Sequence, residues 1–155
     1  MLLLGKLKPD SGQIDTFGTI SLLYQQIQFN PYLTCYEILL LEKDRNSNGA
    51  DINISDLFKD LNLIDYRNHL AKDLSGGQQQ LLTVGMYLAR GASIILADEP
   101  YSRMDSLVSE KVKEKLNMIV NKHEITLLVA SHHFPHFKGF DDVFKIENYG
   151  LFKNN

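Results

Sequence analysis

A chain of 155 residues with 44% hydrophobic and 23% charged residues fits one globular domain, long enough to bury a core. Its formal net charge of −3 leaves no basic surplus for a nucleic-acid footprint. Its one cysteine, Cys35, excludes an internal disulfide and fits a reducing cytoplasm.

The opening MLLLGKLKPDSG turns polar too soon for a signal peptide or a membrane span. Leu2, Leu3, Leu4 and Leu7 read instead as the last turns of a buried helix. Residues 19–25 (TISLLYQ) suit a buried strand. Helical patterns follow over 35–41 and 55–61, with Ser55 as N-cap of the second and Asp56 favouring its first turn. A polar loop, 43–53, lies between them. Residues 78–90 are apolar on most sides, as in an interior helix, and 93–98 (SIILAD) form the continuous apolar run of a strand covered on both faces. Val108, Val112, Leu116 and Ile119 recur at helical spacing, before the strand-like runs ITLLVAS and DDVFKIEN. Strand and helix alternating in this way predict an α/β fold with a mostly parallel sheet, interrupted over about 35–90 by an inserted helical subdomain.

Two short motifs carry the chemistry. In LSGGQ, residues 74–78, Ser75, Gly76 and Gly77 stand just before a helix, where unpartnered N–H groups and the helix dipole favour an anion. Alone, a Ser-Gly-Gly turn is an ordinary helix cap. In IILADEP, residues 94–100, Asp98 and Glu99 fall at the C-terminal end of a strand, where open α/β sheets bind ligands. Asp98 is suited to Mg²⁺ and Glu99 to orienting or deprotonating a water. Alone, this is an acidic pair at a strand end.

Together, one helix apart, the two motifs resemble the signature motif and Walker B of ATP-binding cassette (ABC) ATPases. Further stations fall into register with that family. YQQIQFNPYLT resembles the Q-loop, with Gln25 at its glutamine. YSRMDS resembles the D-loop, with Asp105 at the acidic position, and VASHH resembles the switch region, with His132 at the switch histidine. The likeness extends from Leu2 to about Asn148. It implies a P-loop NTPase-like fold and an ATP-binding transporter subunit working with ATP and Mg²⁺. Glu99 and His132 would then be catalytic, Asp98 and Gln25 metal-binding, and Gln25 and Asp105 nucleotide-binding. Ser75, Gly76, Gly77 and Gln78 would close over the γ-phosphate of ATP held by the other member of a head-to-tail homo- or heterodimer. It also implies a transmembrane permease partner, no nucleic acid, and a place on the cytoplasmic face of the membrane.

The departures matter as much. These residues contain no G-x-x-x-x-G-K-[ST] phosphate loop, which the family carries just before the segment resembling LLLGKL. The family strand that feeds that loop is also missing. Leu81, Met86 and Tyr101 replace residues frequent in the family. The expectation is a partial cassette with little hydrolysis of its own, or a non-catalytic chain lending LSGGQ to a complete partner, or a fragment without function. The missing strand is expected to leave SIILAD without a neighbour, exposing a sheet edge prone to association.

Overall fold

The computed structural model describes residues 7–23, 28–46, 52–102, 104–132, 139–148 and 150–154. Three parallel strands, β1 (Ile20–Leu23), β2 (Ile94–Asp98) and β3 (Thr126–Ala130), lie in that order. The register pairs Ile94 with Ile20 on one side and with Thr126 on the other. SIILAD therefore has a neighbour on both sides, contrary to the sequence expectation. The edge strands among the described residues are β1 and β3, and on β3 Leu128 is 50% exposed. Strand order is a long-range property that an apolar run does not encode. Within β2, Ile95 and Ala97 are buried while Ile94 and Leu96 are half-buried, so one face is packed and the other only partly covered.

The crossover from β1 to β2 is helical: α1 (Cys35–Asp44), α2 (Ile54–Asp60), two single 3-10 turns at Ile64–Tyr66 and Ala71–Asp73, and α3 (Gly76–Ala89). Helix α1 begins at Thr34, whose side chain and Glu37 form a reciprocal capping box. Asn53 caps α2, accepting from the N–H groups of Ser55 and Asp56; Ser55, the expected cap, lies inside the first turn. Asn and Ser are both good caps, and here the earlier one wins. Helix α3 ends at Gly91, whose left-handed φ of +83° lets its N–H donate to Leu88 O and that of Ala92 to Tyr87 O, a Schellman closure.

Helix α3 is the centre of the core. Leu82, Val84, Leu88 and Ala89 are buried with Leu39 of α1, Leu57, Phe58 and Leu61 around α2, and Leu23 and Ile95 of the sheet. Tyr87 Oη donates to Leu22 O at 2.6 Å, tying α3 to β1. Cys35 is fully buried and its thiol is pushed up to about 11 by that burial, which disfavours the reactive thiolate.

Helix α4 (Ser106–Lys122) returns the chain to β3. The DDVFKIEN run does not continue the parallel sheet. It forms β4 (Val143–Glu147), antiparallel to β5 (Gly150–Asn154) in a separate two-stranded ribbon. Leu7 is exposed, and the rest of the expected N-terminal helix lies outside the described residues.

One ionic cluster joins α2 to the end of α4. Asp60 accepts from Lys122 Nζ at 2.5 Å and lies 3.0 Å from His123 Nε2, so His123 is not a merely solvated histidine. Burial alone would raise the Asp60 carboxyl; the bonds from Lys122 and His123 outweigh it and hold the carboxyl below its ordinary value. A depressed carboxyl contributes stability that is present above the unfolded value, about pH 4, and is lost as pH falls through the folded value. Asp60→Asn is expected to cost about 1–2 kcal/mol at pH 7. Urea unfolding at pH 7 and in acid checks this: the gap between parent and variant should close at low pH.

Candidate functional site

The first half of the site is the start of α3. Ser75 is its N-cap: Gln78 N–H donates to Ser75 Oγ at 3.4 Å, and Ser75 N–H donates to Gln78 Oε1 at 2.9 Å. The two glycines that follow have different tasks. A Cβ on Gly76 would meet nothing within 4 Å, so this backbone faces open space, as an approaching anion requires. A Cβ on Gly77 would stand 3.1 Å from Val112 Cγ2 and 3.3 Å from Val108 Cγ1. Gly77 is thus buried where α4 crosses α3, and its small size serves packing more than ligand approach. Beside it, Leu81 and Tyr66 line a groove of about 430 Å³ whose far wall includes Val112 and Lys111.

The second half sits at the C-terminal ends of β2 and β3. Asp98, the last residue of β2, is exposed. Glu99 follows in the left-handed region at φ +46°, a conformation that costs a non-glycine residue roughly 1–2 kcal/mol. It is held there from several sides. Its N–H donates to Ala130 O at 2.9 Å, and its own carbonyl accepts from Ser102 N–H at 3.3 Å and Ser102 Oγ at 3.0 Å.

The Glu99 carboxylate turns toward β3. Oε1 accepts from His132 N–H at 2.5 Å and lies 2.5 Å from His132 Nδ1, while Oε2 accepts from Ser131 Oγ at 3.0 Å. The Glu99 side chain is 16% exposed and the His132 ring 72%. Burial would raise this carboxyl; the amide and ring of His132 and the Ser131 hydroxyl together lower it. Glu99 is therefore held ionised, able to accept a proton, in contact with a solvent-facing histidine.

Asp105 caps α4, accepting from Val108 N–H at 3.0 Å, which fixes the turn after Asp98 and Glu99. Tyr101 fills the space between that turn and α4: its ring lies 5.5 Å from Lys113 Nζ, and burial raises its phenol. Gln25 lies outside the described residues. The structure thus brings Glu99 and His132 together. The hydrogen bonds of Ser75 and Gln78 stay within α3 and its cap, reaching neither β2 nor β3. Sequence reasoning missed Ser131, although its place immediately before His132 at a strand end was a signal.

Among the described residues no group of three or more His, Cys, Asp or Glu could hold a metal alone. Mg²⁺ commonly takes one or two carboxylates and completes its shell with phosphate and water oxygens, and the exposed Asp98 carboxylate fits that pattern. Comparison with known proteins gives the same frame. The family model described as ABC transporter matches residues 1–102. The chain belongs to the ABC transporter family.

Within that family, the chain is 31% identical over 116 residues to the aliphatic sulfonates import ATP-binding protein SsuB 2 of Pseudomonas syringae pv. tomato, covering 74% of this chain and 49% of that protein. It spans about half the length of such curated ABC relatives. An inward-facing ABC transporter structure shares the fold over 99% of this chain and 64% of its own, with a TM-score of 0.76 at 21% identity. The dimeric structure of the bacterial ABC transporter cassette MJ0796 aligns with a TM-score of 0.59 at 30% identity, covering 75% of this chain and 53% of that one. The mixed α/β architecture with a parallel sheet is accordingly that of P-loop NTPase cassettes.

Proposed function

We propose that this chain serves as the ATP-binding subunit of an ABC transporter, coupling ATP binding and hydrolysis to movement of a cargo across a membrane. The observation that carries the reading is the Glu99 carboxylate, held ionised against Ser131 and His132 one residue after Asp98. Glu99 orients the attacking water and takes its proton as oxygen attacks the γ-phosphorus and the bond to the bridging oxygen breaks, releasing ADP and phosphate; His132 holds the carboxylate and faces the transferred phosphoryl group. Asp98 and Gln25 bind the Mg²⁺ that neutralises phosphate charge when present. Ser75, Gly76, Gly77 and Gln78 receive the γ-phosphate of a nucleotide held by the second subunit of a homo- or heterodimer, and Asp105 sets the turn at that interface.

Separation of the two halves within one chain supports action between subunits: neither Ser75 nor Gln78 is bonded to the Glu99 strand ends. The crystallised relative MJ0796 is a dimer. No helix among the described residues is long and apolar enough to cross a membrane. A permease would supply that span, and the exposed Tyr32, Leu40 and Leu41 around α1 offer it an apolar contact on the cytoplasmic side.

A second reading, a non-catalytic chain that lends LSGGQ to a complete partner, is supported by the open backbone at Gly76 and by the separation of Ser75 and Gln78 from the Glu99 strand ends. Mixing decides between them. Adding a complete cassette subunit with an intact phosphate loop should make ATP turnover appear, and Ser75→Arg in this chain should suppress it. If turnover needs Ser75 but is indifferent to Glu99→Gln, the lending role holds. If it needs neither, both readings fail.

A further inference from the structure

We infer that Ser131 is the positioning residue for Glu99, fixing the plane of its carboxylate through Oε2. This deepens the proposed function and rests on it for its catalytic meaning, while the contact itself stands on geometry. Oε1 is anchored by the backbone N–H of His132, a donor that no substitution at 132 other than proline removes. With that anchor alone, the carboxylate can still turn about its terminal bond, a broad and weakly restricted torsion. The 3.0 Å bond from Ser131 Oγ is the second anchor, and two anchors on two oxygens define a plane.

The backbone makes the second anchor consequential. Glu99 stands in the left-handed region immediately after β2, and its N–H is already spent on Ala130 O. Ser131 follows Ala130 directly, so one strand end supplies the acceptor for the Glu99 N–H and, from the next two residues, both anchors for its side chain. Side chain and backbone of Glu99 are thereby registered to the same three residues. Any displacement of β3 moves all of these bonds together. A hydroxyl is suited to this place because it donates to the ionised carboxylate and can rotate away when water takes over Oε2.

Thr and Val at position 131 test the inference, because they share shape and differ by a hydroxyl against a methyl, and both suit a strand end. In the full chain labelled with ¹³C at glutamate carboxyls, the Glu99 resonance is assigned by its loss in Glu99→Gln. At fixed neutral pH, Ser131→Thr should keep the parent's chemical shift at that carboxyl, and Ser131→Val should displace it, because the donor to Oε2 is gone. Equal shifts for Thr and Val would overturn the inference. Turnover in the mixed assembly gives the second readout: Ser131→Val should lower kcat about three- to tenfold with KM unchanged, and Thr should restore it. Parallel losses in Thr and Val would mean a role in shape alone and overturn the inference. Absence of turnover in the parent mixture would strike the proposed function and leave the chemical-shift result standing.

Discussion

Glu99→Gln is expected to lower ATP turnover in the assembled two-chain site by ~100- to 10,000-fold, the usual worth of a general base. The fold around it should persist. A Gln side chain keeps a carbonyl oxygen for the His132 N–H, and the backbone bond to Ala130 O is untouched. What disappears is the ionised oxygen that takes the proton from water. Nucleotide binding should therefore survive, and ATP should be retained unhydrolysed in a longer-lived closed assembly. Single-turnover hydrolysis measured beside nucleotide retention separates the two effects. Turnover within twofold of the parent would remove Glu99 from the catalytic role.

Leu82→Ala is expected to be the most damaging single truncation in the core, at about 2–5 kcal/mol. Leu82 is fully buried on α3, the helix that ends in the Gly91 closure and is bonded to β1 through Tyr87. Its neighbours in the core come from helices and sheet alike, so no single side chain can swing in to refill the space. Whole domains hold only about 5–15 kcal/mol. The variant should unfold at much lower denaturant with a similar slope, as urea titration followed by circular dichroism will show. A loss below about 1 kcal/mol would mean the core around α3 is loosely packed.

Local patterns and tertiary facts were legible to different degrees. The β2 strand was readable because a short apolar run bounded by Gly91 and Pro100 fits little else. Helix α3 was readable from its apolar run, but its start was placed at Gln78, two residues late, because Gly76 and Gly77 are weak helix formers and only the Ser75–Gln78 capping box brings them into the first turn. The neighbours of β2 were not: they lie more than thirty residues away on one side and about seventy on the other, and an apolar run says nothing of strand order. Gly77 shows the same limit at smaller scale. Its motif suggested ligand approach, but only the crossing of α4 shows which glycine faces a helix and which faces open space. The partner of His123 was not legible either, because α2 brings Asp60 to it from 63 residues away. Glu99 and His132 were singled out through family resemblance and the structure places them in contact, whereas the Ser131 bond to Glu99 needed coordinates because it is a single long-range contact.

On this reading these residues hold the signature and carboxylate parts of an ATPase site, and a phosphate loop outside them cradles the phosphates. Isothermal titration of MgATP into the chain alone tests it most directly. No amide loop and lysine are present among these residues to anchor the β- and γ-phosphates, and Asp98 by itself cannot substitute for them. The account predicts no saturation at micromolar ligand. Saturable micromolar binding by the isolated chain would contradict it.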